Sequence, residues 1–424
     1  MNPIPLFKER THHLQKVRNR LLAIAHKNGT PSYVFDKAEA RRNIRDFLSA
    51  FRKHQKNVSM FYAIKSNPYI GLLRTVVQEG GYLDASSPSE LSLAQRAGAE
   101  RILYTGPAKS EADLSSLLKL RRRVFLHLDS FHELELLGQI LRGTRQTYNV
   151  GVRVFGTAQA GWSKFGIPLD QLGAFLRKAR QYPELSISAL QFHMSFNRDS
   201  SRYRKTIREI ASFLRSESGK DLRGSLRILD IGGGYAPAAF EGVYPWNRSM
   251  AIKLSYPTGL LQKILTNKVS PRVLPIHYTP ISQLAEEITQ TWKKEILPLI
   301  PHIEFWTEPG RFVSHSTMHM LLGVADVKRD RHAVITDGGN NMVGYEKHQW
   351  QDYTPIFNLT HFSASRETPV LCYGSLCTAN DLWGYYIYGK KIEIGDVLVM
   401  PFQGAYTNTL AQHFIRHIPP IVDL

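Results

Sequence analysis

Residues 58–65 read VSMFYAIK, an apolar β-rich run that ends on a lysine. β-branched and aromatic residues favour strands, and a run that is apolar on both faces is typical of a buried parallel strand. Together with this one, runs of the same kind occupy residues 58–64, 81–84, 101–105, 124–129, 150–154, 187–193, 226–231 and 303–308. Eight strands alternating with helices predict parallel pairing in a (β/α)8 barrel, with an open doubly wound sheet as the alternative.

Helix signals stand between these runs. Residues 87–90, SPSE, have the spacing of a capping box with proline at the first helical position, and Ser130 with Glu133 repeats the spacing. Residues 204–214 carry apolar residues at helical spacing. The gap between 231 and 303 exceeds one crossover helix, so we predict an insertion there.

The pattern changes after residue 316. Short β-rich runs separated by Gly, Asp and Pro follow at 333–336, 370–373, 397–401 and 413–415. They predict a mostly β second domain, whereas the residues before 29 form a basic helical stretch. The predicted domains are therefore an N-terminal helical segment packing with the β domain at 1–28, the barrel at 29–316 and the β domain at 317–424.

Composition limits the class of protein. The chain has 424 residues, of which 43% are hydrophobic and 21% charged, which excludes a disordered chain. No uncharged apolar run approaches the ~18 residues of a membrane helix, and the charged start MNPIPLFKERTHH is unlike a signal peptide. The two cysteines, Cys372 and Cys377, support no disulfide framework. We therefore expect an intracellular, cytoplasmic protein.

The chain is strongly basic, with 54 Lys and Arg against 36 Asp and Glu, a net charge of +18. Such a charge is compatible with a nucleic-acid partner, but no zinc spacing or aromatic RNA-binding signature accompanies it. A basic surface, or attraction to anionic cofactors and substrates, is the favoured interpretation.

Polar residues close or follow nearly every barrel run. They are Lys65, Asp84, Thr105, Asp129, Arg153, His193, Gly232 to Gly234 and Glu308. Active sites of barrels lie where the strands end, and several of these residues cost free energy to bury without partners. Their shared position at one rim therefore predicts a site more strongly than any single motif does.

Each of these residues has a functional and a structural interpretation. Lys65 at a buried strand end can form a Schiff base, or it can pair with a structural carboxylate. The glycines let backbone N–H groups approach a phosphate, although a tight turn has the same letters. Glu308 can pair with a cationic ring nitrogen and Arg311 can clamp a phosphate, or the two can form a surface pair. His193 can be a base, a ligand, a stacking surface or a core residue.

No second histidine or carboxylate stands at metal spacing from His193, so we expect no metal site. A lysine, a phosphate cradle, an acid for a ring nitrogen and a histidine for stacking together fit pyridoxal 5'-phosphate (PLP).

With these residues the chain resembles the alanine-racemase-fold PLP decarboxylases, also called group IV, which include diaminopimelate, ornithine/arginine and carboxynorspermidine decarboxylases. The resemblance runs from about residue 31 to residue 420. It rests on FYAIKSN at 61–67, DASS at 84–87, SKFG at 163–166, GGG at 232–234, EPGR at 308–311, DGG at 337–339, CTAND at 377–381 and GAY at 404–406. The family fold, a barrel followed by a β domain, agrees with the prediction made from the residues.

The resemblance implies a role for each matching residue. Lys65 would carry PLP covalently, Glu308 would keep the pyridine nitrogen protonated, and His193 would stack on the ring. Cys377 would be donated by the second subunit of a homodimer and would help to protonate the product. The implied cofactor-binding residues are Lys65, Asp84, Arg153, His193, Ser195, Gly233, Gly234, Glu308, Gly310, Arg311 and Tyr406. The implied substrate-binding residues are Thr378, Asp381 and Tyr353.

Three departures from the family concern the substrate and the phosphate. Thr378 replaces the acidic residue that meets a distal ammonium, unless another acid such as Asp352 reaches the pocket. Residues 337–355 contain no arginine, which diaminopimelate decarboxylases use for the second carboxylate. Phe196 replaces a phosphate-binding serine, and either Ser195 or Asn197 would substitute for it.

The sequence thus predicts α-decarboxylation of a modified amino acid, in a specialised pathway such as siderophore or antibiotic assembly. One alternative is a diaminopimelate or ornithine/lysine decarboxylase proper. Others are a racemase or epimerase of the same fold, in which an arginine would face the pyridine nitrogen instead of Glu308, and an inactive binding homologue.

Overall fold

The computed structural model describes residues 5–159, 164–237, 242–243, 274–344 and 353–424. Ser163, Asp352 and most of the predicted insertion after residue 231 lie outside the described residues. The chain divides into a barrel unit, residues 41–238 and 278–313, and a β unit, residues 1–40, 239–277 and 314–424.

The helices of the described residues are numbered in chain order. They are α1 (Pro5–Asn28), α2 (Lys37–Arg52), α3 (Ile70–Gln78), α4 (Pro88–Arg96), α5 (Glu111–Lys119), α6 (Phe131–Leu141), α7 (Leu172–Ala179), α8 (Ser201–Arg215), α9 (Glu217–Ser225), α10 (Ile281–Glu295) and α11 (Arg311–Ser314). None of them is both long enough and apolar enough to cross a membrane.

The strands are numbered in the same way. The first nine are β1 (Ser32–Phe35), β2 (Val58–Ala63), β3 (Tyr82–Ala85), β4 (Ile102–Tyr104), β5 (Val124–Leu128), β6 (Tyr148–Phe155), β7 (Ile167–Pro168), β8 (Leu185–Gln191) and β9 (Ile228–Asp230). The others are β10 (Gly242–Val243), β11 (Leu274–Pro275), β12 (Glu304–Thr307), β13 (Met318–Lys328), β14 (Ala333–Thr336), β15 (Phe357–Asn358), β16 (Glu367–Tyr373), β17 (Leu382–Tyr388), β18 (Val397–Met400) and β19 (Ile421–Asp423).

Eight parallel strands close into a ring in the barrel unit. Their order is β2, β3, β4, β5, β6, β8, β9 and β12, with β12 pairing back to β2. Each of the eight runs found in the sequence overlaps one of these strands, so the predicted (β/α)8 barrel is confirmed. Phe61, Leu103, Ala189, Ile228 and Trp306 form one cluster of its apolar core. Parallel strands that are apolar on both faces need this cover from side chains inside and helices outside.

Serine caps set the start of the helices that follow the strands. The Ser87 hydroxyl accepts from the Glu90 backbone N–H at 3.3 Å, and Pro88 takes the first helical position. The Glu90 carboxylate binds the backbone N–H of Ser86 rather than that of Ser87, so only half of the predicted capping box forms. Ser130 likewise caps α6 through the Glu133 N–H at 3.1 Å. These caps fix where each strand-to-helix loop ends.

The β unit contains an eight-stranded sheet in the order β14, β16, β17, β15, β18, β13, β1, β19. Strand β1 pairs with β13 and β19, so the barrel unit begins at residue 41 rather than at the predicted residue 29. Helix α1 buries Leu14 and Leu21 against Val34 and Leu321 of this sheet. Pairing between strands distant in sequence thus decides to which unit β1 belongs.

One predicted strand is wrong. Residues 413–415 form no strand; the structure has only an isolated bridge between Phe414 and Arg416. Phe414 and Ile415 are about half exposed, at 48% and 56%. A β-rich run without a neighbouring strand or a buried face has nothing to stabilise it as a strand.

Candidate active site

Lys65 lies on a single 3-10 turn directly after β2. Its Nζ is 3.6 Å from Oδ2 of Asp84, which is fully buried near the end of β3. The register of the two strands places Ala63 of β2 opposite Asp84 of β3. Lys65, two residues after Ala63, therefore lies at the same end of the barrel as Asp84. Thr105 donates from its hydroxyl to the other Asp84 oxygen at 2.7 Å. The lysine is therefore held in place while 37% of its side chain stays exposed.

The Asp84 carboxyl has a raised pKa. Burial and the nearby Glu308 carboxylate raise the pKa of the Asp84 carboxyl to about 7, although the Lys65 ammonium acts in the opposite direction and lowers it. A carboxyl that titrates near neutrality beside a lysine can hold or release a proton at that amine.

Glu308 follows β12 and is 1% exposed. Its Oε2 is 3.1 Å from Nδ1 of His193, and its Oε1 accepts from the Gln191 carboxamide at 3.0 Å. Burial raises the pKa of Glu308, but the hydrogen bond and charge of His193 and the charge of Lys65 outweigh burial and lower it to about 2. Glu308 is thus a buried, ionised carboxylate, the group that a protonated ring nitrogen needs.

Burial lowers the pKa of His193, although Glu308 acts in the opposite direction. Nδ1 of His193 also accepts from the Gly233 backbone N–H at 3.2 Å, so the imidazole joins Glu308 to the glycine turn. Its predicted stacking on a cofactor ring stays a prediction.

Asp230 and His127 surround Glu308, and ligand-type atoms of the three residues lie within 4.8 Å of one another. Burial and the nearby Glu308 charge raise the pKa of Asp230 above its usual value, whereas burial lowers the pKa of His127 to about 3. Asp230, His127 and Gln191 were not predicted from the sequence, although all three lie on predicted strands. Gln191 is two residues before His193, a spacing that puts both side chains on one face of a strand.

The three glycines after β9 leave no room for side chains. Gly232 and Gly234 have φ of +66° and +97°, which favour glycine. A Cβ would lie 2.3 Å from the Phe192 carbonyl oxygen at Gly232 and 2.1 Å from that of Met194 at Gly234. The resulting bare backbone fits the predicted phosphate cradle.

Ser195 and Asn197, the two candidates to replace the phosphate-binding serine, differ in their contacts. Asn197 is 2% exposed, and its carboxamide donates to the Gly234 carbonyl and accepts from Arg202. Asn197 thus supports the cradle, which leaves the Ser195 hydroxyl as the candidate for a phosphate. Phe196 is 52% exposed, and the Arg311 guanidinium stacks over its ring at 5.4 Å from the centroid. The predicted phosphate ligand Arg311 is therefore positioned partly by Phe196 itself.

Arg153, at the end of β6, stacks on Phe165 at 4.4 Å and approaches Asp129 at 3.9 Å. Behind them, Lys109 and Glu133 form a buried ion pair of 2.8 Å, and the Asp129 backbone N–H donates to Glu133 at 2.9 Å. This network holds the loops after β4 and β5, which helps to position Arg153.

Gly310, at the turn after Glu308, packs close to Ser66, where a Cβ would lie 3.1 Å from that of the serine. The cofactor-binding role predicted for Gly310 therefore concerns its backbone.

The remaining predicted residues lie in the β unit. Cys377 and Thr378 are exposed on the loop between β16 and β17. Asp381 is 1% exposed, and its two oxygens accept from the backbone N–H groups of Asn340 and Leu376 at 2.7 Å. This carboxylate shapes the loop, so a positioning role fits it better than the predicted contact with substrate.

Two predicted tyrosines also lie in the β unit. The Tyr353 hydroxyl is 3.0 Å from that of Tyr388. Tyr406 has a left-handed backbone with φ of 54°. Their predicted substrate and phosphate contacts stay predictions.

The barrel residues fit PLP. The glycine cradle and Arg311 suit a phosphate, and Glu308 suits a pyridinium. Oδ2 of Asp230 and both ring nitrogens of His127 have no hydrogen-bond partner among the described residues, as expected of a site built around a polar group. A barrel with a lysine after its first strand and an ionised glutamate after its last fits the class of PLP enzymes.

Comparison with known proteins gives the family. Residues 38–258 match the family described as "Pyridoxal-dependent decarboxylase, pyridoxal binding domain", and the chain belongs to it. It is a PLP-dependent decarboxylase, as the resemblance implied.

Two curated relatives illustrate the range of the family. Diaminopimelate decarboxylase of Bacillus methanolicus is 25% identical over 95% of this chain and 89% of its own length. The 2-[(L-alanin-3-ylcarbamoyl)methyl]-2-hydroxybutanedioate decarboxylase of Staphylococcus aureus is 24% identical over 92% of each chain.

Solved structures show the same fold. Diaminopimelate decarboxylase from M. jannaschii in complex with L-lysine has a TM-score of 0.76 at 20% identity, covering 95% of this chain and 89% of that one. Lysine/ornithine decarboxylase from Vibrio vulnificus complexed with putrescine has a TM-score of 0.73 at 21% identity, covering 96% and 98%.

Proposed function

We propose that this enzyme removes the α-carboxylate of a modified amino acid whose side chain does not end in a free ammonium group. The observation that carries the proposal is Thr378 on the exposed loop that follows Cys377. Threonine is neutral and offers no ion pair to an ammonium. The neighbouring carboxylate of Asp381 is buried and accepts hydrogen bonds from two backbone N–H groups. It therefore does not replace the acidic side chain that is missing at position 378.

Two further observations support this substrate class. Residues 337–355 contain no arginine for a second carboxylate of the diaminopimelate kind. The S. aureus relative, matched over 92% of each chain, is named for a substrate in which an alanine unit is joined through a carbamoyl group to a hydroxybutanedioate. A modified side chain is therefore a substrate type already named among relatives of this chain.

The barrel residues divide the chemistry among them. PLP, once bound, supplies the electron sink for the electron pair left when carbon dioxide departs. Lys65 holds the cofactor, and Asp84 stores or releases a proton at that amine. The cradle at 232–234 and Arg311 bind the phosphate, and ionised Glu308 stabilises positive charge on the ring nitrogen.

Glu308 also favours decarboxylation over racemisation. In the alanine racemases of this fold an arginine faces the pyridine nitrogen, and a second positive charge there disfavours ring protonation. Here the facing group is an ionised carboxylate with a pKa of about 2. It stabilises the protonated ring, and so it suits the reaction that needs the deeper electron sink.

The complete site is proposed to form in a homodimer. Cys377 of one subunit would reach the partner's barrel and protonate the Cα of the product. The exposure of Cys377 on its loop leaves the thiol accessible for this role.

A substrate panel tests the proposal. Release of carbon dioxide is measured for diaminopimelate, ornithine, lysine, 2,3-diaminopropionate and its N3-acyl derivatives carrying carboxylates, with mass spectrometry of the amine products. We expect the highest kcat/KM for an N-acylated substrate, and none with the Lys65→Ala control. The highest kcat/KM on meso-diaminopimelate or L-ornithine would refute the substrate class and leave the decarboxylase assignment intact.

A further inference from the structure

A second cluster of ligand-type side chains lies in the β unit, apart from the residues of the barrel site. It contains His13 on α1, Asp36 after β1 and His319 on β13. One ligand-type atom from each of the three residues lies within 4.8 Å of the other two. His13 Nε2 is 3.3 Å from Asp36 Oδ2, and the His13 and His319 rings stack with centroids 5.6 Å apart.

The sheet register brings these distant residues together. Val34 of β1 lies opposite His319 of β13, and the Asp36 N–H donates to the Thr317 carbonyl at 2.8 Å. Asp36 Oδ1 accepts from the Glu39 N–H at 3.0 Å, which caps the start of α2. The other oxygen, Oδ2, is thereby turned toward His13.

His319 is the unusual member of the cluster. It is completely buried, yet neither ring nitrogen has a hydrogen-bond partner among the described residues. A neutral imidazole carries one donor and one acceptor, and burying both unpaired costs free energy. Such an orphaned group in a native fold indicates a ligand or ion at that place.

We propose that His13, Asp36 and His319 bind a divalent transition-metal ion, with zinc as the best match. Two imidazoles and one carboxylate are a preferred zinc donor set, which leaves a fourth position for water. Tetrahedral zinc places its ligand atoms about 3.4 Å apart, and His13 and Asp36 already stand at 3.3 Å. The ion would tie α1 and the end of β1 to β13, which is far from both in sequence.

The surroundings restrict solvent around the cluster. Phe402 packs against both rings, with centroid distances of 6.3 Å to His13 and 5.9 Å to His319. The Arg10 guanidinium, the nearby cation on α1, stacks 4.7 Å from the centroid of the same phenyl ring. A phenyl ring packed against both imidazoles limits the access of water to a bound ion.

The two other groups of this type among the described residues are weaker candidates. His127, Asp230 and Glu308 belong to the cofactor site. In the group of His361, Glu393 and Asp396, the carboxylates are already engaged by Lys391 at 2.7 Å and by the Asn358 carboxamide at 2.7 Å.

Metal content of the holoenzyme tests the proposal directly. The full chain is purified without a metal-affinity column, exposed to zinc, dialysed and analysed by mass spectrometry for metal per chain. We expect about one zinc per wild-type chain that is lost in His319→Gln and kept in His319→Cys, since a thiolate is also a zinc ligand. The matched control is His12→Gln, an exposed neighbour on α1 that should keep the metal.

A stability measurement separates a metal site from a hydrogen-bonded cluster. A chelator should lower Tm of the wild type and of His12→Gln by several degrees and leave His319→Gln unchanged, because only a bound ion adds stability by mass action. Wild type that holds no zinc after dialysis would overturn the proposal. Equal zinc in wild type and His319→Gln, or a Tm insensitive to chelator in every variant, would overturn it too.

Discussion

The Gln191 carboxamide donates a hydrogen bond of 3.0 Å to Oε1 of Glu308. Nδ1 of His193 lies 3.1 Å from the other oxygen, so both ends of the carboxylate have a polar partner. Hydrogen bonds to an ionised group favour its charged form, which is why Glu308 stays ionised although it is buried. The proposed chemistry of the site depends on this charge, because it would stabilise a protonated ring nitrogen.

Glu308→Gln should therefore lower kcat for release of carbon dioxide by ~10²–10³-fold at saturating PLP, since an amide does not stabilise a pyridinium. Gln191→Met, which removes one donor at similar volume, should cost about tenfold. The matched control is Glu217→Gln, whose side chain is 93% exposed. A kcat for Glu308→Gln within twofold of wild type would contradict this role.

The residues that the sequence analysis placed at the barrel rim share one property: each ends or follows a strand run. Lys65, Asp84 and Glu308 were found in this way because the ends of parallel strands meet at one edge. Gln191 and His127 were missed because they lie within runs, where the letters do not show which side faces the ring. Asp230 was missed because it precedes the last residue of its run.

Other differences arise from pairing and burial, which are not local. Strand β1 belongs to the second sheet only because β13 and β19 pair with it. The substrate contact of Asp381 stays a prediction, and the sequence could not show that its carboxylate accepts from two backbone N–H groups, since one of the donors, Asn340, is distant in sequence. Residues 413–415 have strand-like composition and no partner strand.

Borohydride reduction should fix PLP covalently to Lys65, and Lys65→Ala should show no such label by peptide mass spectrometry. The reason is the exposed Nζ beside Asp84. The matched control is Lys53→Ala, an exposed lysine away from the strand ends, which should be labelled like wild type. A label on the same active-site peptide in Lys65→Ala would show that another residue carries the cofactor.

The raised pKa of Asp84 predicts how stability depends on pH. The unfolded carboxyl loses its proton near 3.8 and the folded one near 7, so the folded protein binds more protons between these values. The free energy of unfolding of the cofactor-free protein should therefore fall as pH rises from 4 to 7, by at most about 4 kcal/mol from this group.

Asp84→Asn does not titrate and should remove this part of the decline, as seen by urea unfolding at a series of pH values. Asp221→Asn, at a carboxyl that is 71% exposed, should keep the decline. The interpretation fails if the difference in unfolding free energy between wild type and Asp84→Asn is constant from pH 4 to 7.

The proposed sharing of active sites between two subunits predicts complementation. Lys65→Ala and Cys377→Ala should each be nearly inactive, but a heterodimer of the two carries one site with both native residues. After subunit exchange, activity should rise toward about half of the wild-type value if every dimer is mixed. Exchange proved by mass-tagged subunits without recovery of activity would place Cys377 in the same subunit's site or outside it.

The last prediction concerns the choice of substrate at Thr378. A charged hydrogen bond lost from a desolvated site costs a few kcal/mol, so roughly 10²–10³-fold in specificity depends on this position. Thr378→Asp should raise kcat/KM for ornithine or diaminopimelate and lower it for the native substrate. Thr378→Ser, which adds no charge, is the matched control and should leave the ratio unchanged. Equal ratios in Thr378→Asp and Thr378→Ser would mean that the loop after Cys377 does not face the distal end of the substrate, and the specificity would then have to come from residues of the barrel.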